Sequence, residues 1–272
     1  MLQKTDSGVF IPIITPFTIQ DEVDLNSFEN QLDLILSAPV KGIVVCGTTG
    51  EGLYLSEDEK KTLIQTVVDY RTRSYPFKII VATGTQKLDE AVSIATFAEE
   101  VGCDAALAYP PRTESQDEII LFYHSLAQAT TLPILGYNIP RITGSSITPE
   151  TYQKMVNKKS VIGIKDSSRD EKLLFEWKKV APDSLVIVGE DTFISLGIEK
   201  AGATATIAGS GNLYPHDIDT LFQESQKGNG STLQLELNEK VKKLLETGSF
   251  IGGLKAALKK KGMLVDDGRR VP

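Results

Sequence analysis

Short apolar runs alternate with amphipathic stretches along most of the chain. Eight runs are rich in Val, Ile, Leu or Ala and end in turn or polar residues, a pattern typical of buried parallel strands. Between and after them, apolar residues recur at helical spacing. The predicted strands span residues 10–17, 42–47, 77–84, 104–110, 133–138, 161–166, 184–190 and 203–209. The predicted helices span residues 25–38, 57–73, 88–101, 118–129, 149–156, 171–180, 192–200, 217–226, 232–246 and 251–261.

Several predicted helices begin with residues that cap a helix N-terminus. Ser56 is followed three residues later by Glu59, the arrangement of a capping box. Thr148 precedes a proline, which is favoured in the first helical turn. Asp191 stands directly before residue 192 and is expected to cap the helix that starts there. These signals support a chain in which strands and helices alternate.

The alternation predicts the fold. Eight strands, each followed by a helix, favour a (β/α)8 barrel, and a doubly wound sheet is the alternative. No Gly-x-Gly-x-x-Gly follows the first strand, which counts against a dinucleotide-binding sheet. We expect the barrel to occupy residues 1–226. Residues 227–272 are expected to form a short C-terminal helical extension packed on it, with a hinge at residues 227–230.

Composition and charge narrow the class of protein. The chain has 272 residues, of which 41% are hydrophobic and 24% charged, as in ordinary globular proteins. Its 29 basic and 36 acidic residues give a net charge of −7, which counts against nucleic-acid binding. Residues 1–8 contain no apolar signal core, and no segment has the apolar length of a membrane span. We expect a cytoplasmic protein with neither a nucleic-acid nor a membrane partner.

Metal-binding and redox motifs are missing from the sequence. Cys46 and Cys103 match no metal or redox spacing, and His124 and His216 are isolated from one another. The sequence therefore predicts no metal site.

The candidate chemistry lies in the polar residues that end the apolar runs, because barrels of this kind form their sites at the carboxyl ends of the strands. In the sixth run, alternation places Lys165 on the side opposite Ile162 and Ile164, toward the barrel interior. The same alternation directs Tyr137 inward from the fifth run. Since the two strands are neighbours, we expect Tyr137 and Lys165 to meet at the barrel mouth.

A lysine in this setting has a definite chemistry. Desolvation favours its amine form, which can attack a ketone and form a Schiff base, and a neighbouring phenol can carry protons. In the alternative interpretation, Lys165 is a solvated residue at a strand end and Tyr137 a core residue. Most ionisable groups in proteins have such structural roles.

The second run ends in Gly-Thr-Thr-Gly-Glu, residues 47–51. Its glycines allow close approach of the backbone, and the hydroxyls of Thr48 and Thr49 can hold a carboxylate together with the loop amides. The alternative is a plain tight turn in which Glu51 caps the next helix. A nucleotide P-loop is excluded because no Gly-Lys-Ser/Thr follows.

Four segments together resemble the dihydrodipicolinate synthase/N-acetylneuraminate lyase family of class I pyruvate-type aldolases. They are residues 10–17 (Phe-Ile-Pro-Ile-Ile-Thr-Pro-Phe), the loop at 47–51, Tyr-Asn-Ile-Pro at 137–140, and Gly-Ile-Lys-Asp at 163–166. Their order and spacing fit the family, and residues 268–272 are similar to family tails. The resemblance covers nearly the whole chain.

The resemblance implies a role for each matching residue. Lys165 matches the Schiff-base lysine, which attacks the ketone of pyruvate or another 2-oxo acid. Tyr137 matches the proton-relay tyrosine, and Thr48 matches the threonine that passes protons on. Thr49 matches the threonine that grips the substrate carboxylate.

Further positions are implied as substrate-binding. Gly47 belongs to the same loop, and Gly189 and Ile207 match positions that line the pyruvate end of the site. The family's chemistry uses neither a metal nor an organic cofactor, so no cofactor is expected.

The chain departs from the synthase pattern at two places. The arginine that holds the carboxylate of the aldehyde substrate falls at Ile142, with Arg141 beside it. The tyrosine that the family lends to a neighbouring subunit's relay falls at a proline in Tyr109-Pro-Pro-Arg112. Whether Tyr109 or Arg112 replaces the missing side chains stays open.

The sequence thus predicts a Schiff-base-forming aldolase or lyase that acts on pyruvate or a related 2-oxo acid, such as a 2-keto-3-deoxy sugar acid, and on an aldehyde. Arg141 and Arg112 are candidates to meet the polar end of the aldehyde. One alternative is 4-hydroxy-tetrahydrodipicolinate synthase proper, which condenses pyruvate with aspartate semialdehyde. Another is a non-catalytic 2-oxo acid binding protein. A homo-oligomer, dimer or tetramer, is expected.

Overall fold

The computed structural model of the protein describes residues 1–271. Its eight strands are parallel and close into a barrel in sequence order, with the first strand paired to the last. The (β/α)8 barrel predicted from the sequence is confirmed, and the doubly wound alternative is wrong. The strands are β1 (Gly8–Pro12), β2 (Gly42–Val45), β3 (Lys78–Ala82), β4 (Ala105–Ala108), β5 (Ile134–Asn138), β6 (Gly163–Asp166), β7 (Leu185–Val188) and β8 (Ala205–Ile207).

Helices follow the strands and cover the barrel, and each predicted helix is present with ends shifted by a few residues. A one-turn helix, α5, was not predicted. Within residues 1–271 no helix combines the length and the apolar character that a bilayer crossing requires. The helices are α1 (Leu25–Leu36), α2 (Glu57–Arg73), α3 (Leu88–Glu100), α4 (Gln116–Ala129), α5 (Pro140–Thr143), α6 (Pro149–Asn157), α7 (Glu171–Val180), α8 (Ile194–Glu199), α9 (Pro215–Gln226), α10 (Ser231–Leu245) and α11 (Phe250–Lys260).

Two of the predicted caps start helices in the structure. The Ser56 side chain accepts a hydrogen bond from the Glu59 amide, and the Glu59 carboxylate accepts one from the Ser56 amide, so α2 begins with a full capping box. The Thr148 hydroxyl accepts from the Thr151 amide at the start of α6. Such caps satisfy amide groups that have no partner inside the helix.

The first strand is shorter than the apolar run that predicted it. The Ile13 amide still donates to the Val44 carbonyl, but the Ile14 amide donates to the Asn212 side chain at 3.0 Å. The chain therefore leaves the barrel wall after Pro12. Residues 13–17 stay buried because they pass beneath the C-terminal helices rather than because they continue the strand.

The barrel interior is a packed core. Alternate strand positions point inward, as the period of two requires, and fill the space with apolar side chains. The inward residues from β1 to β8 include Phe10, Val44, Ile80, Leu107, Leu135, Ile187 and Ile207. This filling leaves the carboxyl ends of the strands as the place where polar side chains can gather.

The C-terminal helices pack on the barrel near the end of β7. On α10, Gln234 accepts a hydrogen bond from the Ser195 amide and donates to the Asp191 carbonyl, each at 2.9 Å. On α11, Leu254 is fully buried and packs in one apolar cluster with Ile14. A division of the chain between residues 226 and 227 stays a prediction.

At the opposite end of the barrel, Asp104 joins β3 to the start of β4. Its carboxylate accepts hydrogen bonds from Arg71 at 2.9 Å, from Lys78 at 2.9 Å and from the Ile79 amide at 3.0 Å. Burial by itself would raise the pKa of Asp104, but these donors outweigh it and lower the pKa below the ordinary value of 3.8.

The Asp104→Asn variant should lose about 1–3 kcal/mol of unfolding free energy at pH 7, because the substitution removes a charged acceptor. A lowered pKa in the folded state stabilises the protein above the ordinary pKa and loses that effect as pH falls through the folded value. The difference between wild type and variant should therefore shrink below about pH 4. Urea unfolding at pH 7 and pH 3 measures it, with the exposed Asp217→Asn as control. An equal loss at both pH values would contradict the assignment.

Candidate active site

Lys165 and Tyr137 form the centre of the site. The pairing of β5 with β6 sets Tyr137 opposite Lys165, and the Lys165 ammonium donates to the Tyr137 hydroxyl at 2.9 Å. The ammonium also lies 4.2 Å from the centre of the Tyr137 ring. Both side chains are buried at the carboxyl ends of their strands. The structure thus brings together the two residues that alternation directs inward, while their catalytic roles stay a prediction.

Two opposing effects act on the pKa of the Tyr137 phenol. Burial by itself would raise the pKa of the Tyr137 phenol, but the charge and hydrogen bond of Lys165 act in the opposite direction. Together with the hydrogen bond to Thr48, they hold the pKa of Tyr137 below its ordinary value of 10.0. The nearby ammonium therefore favours the phenolate form of Tyr137.

Three hydroxyls form a connected chain beside the lysine. Thr48 Oγ1 lies 3.3 Å from Tyr137 Oη and 2.9 Å from Tyr109 Oη. The carbonyl of Gly47 accepts the amide of Gly52 at 3.0 Å, and the resulting turn presents Thr48 to the barrel mouth. Tyr137, Thr48 and Tyr109 are called the hydroxyl chain below.

Thr49 faces the other side of the mouth. Its loop is fixed to the segment that follows β1 by a hydrogen bond from the Thr15 hydroxyl to the Gly50 carbonyl at 2.6 Å. A Cβ atom on Gly50 would lie 2.7 Å from the Ile13 carbonyl oxygen, so the close approach requires glycine. A Cβ atom on Gly209 would lie 3.4 Å from Thr49 Oγ1, which places this hydroxyl over the turn after β8.

Glu51 is the last residue of the same loop and connects it to the C-terminal part of the chain. It has a left-handed backbone with φ of 58°, and its fully buried carboxylate pairs with Lys255 of α11. The carboxylate also accepts the amides of Arg270 at 2.6 Å and Val271 at 3.0 Å. The alternative in which Glu51 caps the next helix is wrong, because the side chain makes no hydrogen bond to the following turn. Lys255, Arg270 and Val271 therefore hold in place the loop at residues 47–51, which is called the threonine loop below.

Gly189 and Ile207 lie around the lysine. A Cβ atom on Gly189 would lie 2.7 Å from Lys165 Cε and 2.2 Å from Ser167 Oγ, so a larger residue would displace the lysine. Ile207 ends β8 and is buried in the same interior cluster as Tyr137. Gly189 thus borders the Lys165 side chain, and substrate-binding roles for Gly189 and Ile207 stay predictions.

Arg141 lies at the rim and is already paired. Its guanidinium is 3.5 Å from the Glu190 carboxylate, which also accepts a hydrogen bond from Arg169 at 3.0 Å. Ile142 is exposed beside it. Arg112 is exposed as well, and its side chain lies against Gly144. Arg141, Arg169 and Glu190 form what is called the rim cluster below.

Asp191 does not cap a helix, contrary to the prediction. Its buried carboxylate accepts the amides of Gly209 at 2.9 Å and Ser210 at 2.6 Å, and so joins the ends of β7 and β8. Burial raises the pKa of Asp191 despite these hydrogen bonds. The glycines after β8 were the sequence signal for this role of Asp191, because consecutive amides in such a turn form a site for an anionic group.

Sequence reasoning missed two further side chains at the mouth. Ser167 donates to the Gly189 carbonyl at 3.0 Å, and Glu190 anchors the rim cluster. Each lies within two residues of a strand end, which is the one signal that could have found them.

No set of three or more His, Cys, Asp or Glu side chains is arranged to hold a metal ion in the part of the chain that the structure describes. Cys46 and Cys103 are both buried and unbonded. Burial raises the pKa of each thiol to about 12.

A (β/α)8 barrel with a buried lysine–tyrosine pair at the carboxyl ends of its strands has the form of an aldolase or lyase. The family model described as the Dihydrodipicolinate synthetase family matches residues 5–272, and the chain belongs to this family. It is an enzyme of the aldolase/lyase class, so the non-catalytic binding protein is not retained as an alternative.

Named relatives agree with this assignment. The 4-hydroxy-tetrahydrodipicolinate synthase of Thermodesulfovibrio yellowstonii is 30% identical over 223 residues, covering 81% of this chain and 76% of the relative. The synthase of Endomicrobium trichonymphae is 32% identical over 225 residues, covering 82% and 76%. The crystal structure of dihydrodipicolinate synthase from Bacteroides thetaiotaomicron has a TM-score of 0.91 and 25% identity, covering 100% of this chain and 94% of that one.

The Lys255→Met variant should lose about 3–5 kcal/mol of unfolding free energy, because it leaves the Glu51 carboxylate buried without its counter-charge. Urea unfolding measures the loss. Lys259→Met, one helical turn further along α11, removes exposed ion pairs and should change stability by less than about 1 kcal/mol. Equal effects of the two substitutions would show that the buried pair has no special importance.

Proposed function

We propose that this enzyme forms a Schiff base between Lys165 and pyruvate or a closely related 2-oxo acid, and joins or cleaves a carbon–carbon bond to an aldehyde. The observation that carries the proposal is the buried Lys165–Tyr137 hydrogen bond at the barrel mouth. The threonine loop beside it supplies hydroxyl and amide donors for a carboxylate. A 2-oxo acid presents a carboxylate next to a ketone, which matches this arrangement.

The first steps need one amine and one phenol. The reaction starts from the ion pair of the Lys165 ammonium and the Tyr137 phenolate: a proton moves from Nζ to the phenolate oxygen, and the neutral amine attacks C2 of the 2-oxo acid. The new C–N bond forms as the carbonyl π bond breaks, and the oxygen takes a proton from Tyr137. The nitrogen returns a proton to Tyr137. Loss of the hydroxyl group as water, with that proton, leaves an iminium ion and a Tyr137 phenolate.

The phenolate then removes a proton from C3 of the iminium, which gives an enamine and the phenol. In synthesis, C3 of the enamine attacks the aldehyde carbon, and the aldehyde oxygen takes the proton from Tyr137. Water adds to the resulting iminium and releases the 2-oxo product and the Lys165 amine, and the Tyr137 phenolate takes up the proton that this hydrolysis frees. Cleavage is the reverse sequence. Thr49 and the loop amides hold the carboxylate throughout, so that C2 stays in line with the amine.

We assign the binding of the aldehyde substrate to the rim cluster. Glu190 offers a carboxylate acceptor and Arg141 a guanidinium donor, a combination that fits the hydroxyl groups of a sugar-derived aldehyde. The exposed apolar side chain of Ile142 adds no charge there. We therefore favour a product of the 2-keto-3-deoxy sugar acid class.

The second candidate is 4-hydroxy-tetrahydrodipicolinate synthase, with aspartate semialdehyde as the aldehyde. The relatives that carry this name favour it. Arg141 would then leave Glu190 and bind the carboxylate of the aldehyde. A cytoplasmic location and a homo-oligomeric state stay predictions under either candidate.

Incubation with pyruvate followed by borohydride reduction should place a stable adduct on Lys165, located by peptide mass spectrometry. Lys165→Arg should abolish the adduct while the protein stays folded. Lys60 and Lys255 are also buried and act as internal controls that should stay unmodified, since the amine of Lys60 is held by the Gly84 carbonyl and that of Lys255 by the Glu51 carboxylate. An adduct on either control, or none in folded wild type, would overturn the proposal.

Arg141→Ala should raise the KM for the preferred aldehyde about tenfold, the effect of losing one charge-assisted hydrogen bond. The adduct with pyruvate should form at the wild-type rate. Arg169→Ala removes the other guanidinium of the rim cluster and should have the smaller effect, because Arg169 is the more exposed of the two. Initial-rate kinetics with glyceraldehyde and with aspartate semialdehyde measure both variants. An unchanged KM for both aldehydes in Arg141→Ala would remove Arg141 from the aldehyde site.

A further inference from the structure

Tyr109 is a buried hydroxyl group that the proposed steps do not use. Its side chain is fully buried, and its ring centre lies 5.0 Å from that of Tyr137. Within residues 1–271, the hydrogen-bond partner of the Tyr109 hydroxyl is Thr48 Oγ1, at 2.9 Å. A buried phenol directed at one residue of the site calls for an explanation.

The backbone around Tyr109 is fixed by its own chain. Gln86 donates from its side-chain nitrogen to the carbonyls of Pro110 and Thr143, each at 3.0 Å. The Ser145 hydroxyl donates to the Pro111 carbonyl at 2.7 Å. These bonds attach the segment after Tyr109 to the connection between β5 and α6.

A second attachment lies just before Tyr109. The Tyr123 hydroxyl donates to the Ala108 carbonyl at 2.7 Å and accepts the Tyr137 amide at 3.2 Å. One hydroxyl of α4 therefore connects the end of β4 to the end of β5. The separation of the two phenols at the site is set by a framework that lies entirely within one chain.

The burial of Tyr109 determines which group donates in the Tyr109–Thr48 and Thr48–Tyr137 hydrogen bonds. Burial, with the added effect of a Tyr137 anion nearby, raises the pKa of Tyr109 well above 10.0, so its phenol keeps its proton. That phenol donates to Thr48 Oγ1, since no other acceptor is within reach among residues 1–271. Thr48 is then free to donate its own proton to the Tyr137 oxygen.

We propose that Tyr109 is a positioning residue that turns the Thr48 hydroxyl toward Tyr137, and that each chain supplies the complete hydroxyl chain of its own site. A second copy of the protein is not required to complete it. The inference rests on the proposed function, because it assigns Tyr109 to the proton transfers at Tyr137. When the phenolate takes a proton from C3 of the iminium, Thr48 is already oriented as its donor.

Tyr109→Phe tests the positioning role. The variant should still form the borohydride-trapped adduct on Lys165, with nearly unchanged KM for pyruvate. Exchange of the pyruvate methyl protons with D2O, followed by NMR, should slow by about 10–100-fold, a part of what a general acid–base group contributes. The pH profile of exchange should also shift to higher pH, because Tyr137 loses an oriented donor to its phenolate and its pKa rises.

Two controls separate this role from simple packing. Tyr152→Phe removes another buried phenol, one that packs against Trp177, and should leave exchange and its pH profile unchanged. Thr48→Val should shift the profile as Tyr109→Phe does, and the double variant should add little, because Tyr109 acts through Thr48. An unshifted profile in Tyr109→Phe, or fully additive effects, would overturn the inference. Loss of the adduct in wild type would instead overturn the proposed function.

Mixed assemblies test whether the site is complete in one chain. Tyr109→Phe and Lys165→Ala chains with different tags are co-expressed and purified through both tags. Exchange should stay at the Tyr109→Phe level, because the Lys165→Ala chain cannot lend its tyrosine. Recovery toward wild-type exchange per Lys165 would show that Tyr109 serves a neighbouring site. If the two tags never co-purify, the chains do not associate. Proton exchange by the wild-type protein then supports a self-contained site, and a wild-type protein that forms the adduct without exchange contradicts it.

Discussion

The hydrogen-bond register across β4, β5 and β6 is the constraint on which the site depends. It pairs Leu135 with Gly163 and Tyr137 with Lys165, so that the side chains of Tyr137 and Lys165 point inward at one level of the barrel. A slip of one residue would turn Lys165 toward the covering helices. Gly163 helps to fix the register, since a Cβ atom there would lie 2.3 Å from the Leu185 carbonyl oxygen. The contact between Lys165 and Tyr137 is therefore set by backbone pairing.

Two buried charges at the mouth are compensated from different parts of the chain. The Lys165 ammonium finds Tyr137 on the adjacent strand, and the Glu51 carboxylate finds Lys255 on the last helix. Unpaired, either charge would strongly destabilise the fold. The partners differ in kind, however. A phenol can exchange a proton with Lys165, whereas the lysine facing Glu51 forms a fixed ion pair, so one pair is suited to chemistry and the other to support.

The local pattern of apolar and polar residues was sufficient to predict the barrel and the inward direction of Lys165 and Tyr137, because both follow from a period of two along short strands. It failed for Asp191 and Glu51. An acidic residue before a helix has the same local signature whether it caps that helix or binds a distant group. Arg270 lies 219 residues beyond Glu51, and the amides that Asp191 accepts lie after the next strand, 18 and 19 residues on. Tyr109 was obscured by the prolines that follow it. Contacts set by barrel closure have no local signal.

The attachment of Arg270 to Glu51 joins positions 219 residues apart. Synthesis runs from the N-terminus, so the threonine loop emerges from the ribosome long before the residues that hold it. Until Lys255 and Arg270 have also emerged, the Glu51 carboxylate lacks its counter-charge and its amide donors. A nascent chain can therefore assemble much of the barrel wall while the loop at residues 47–51 is still unfixed, and the final placement of Thr48 and Thr49 is among the last features to form.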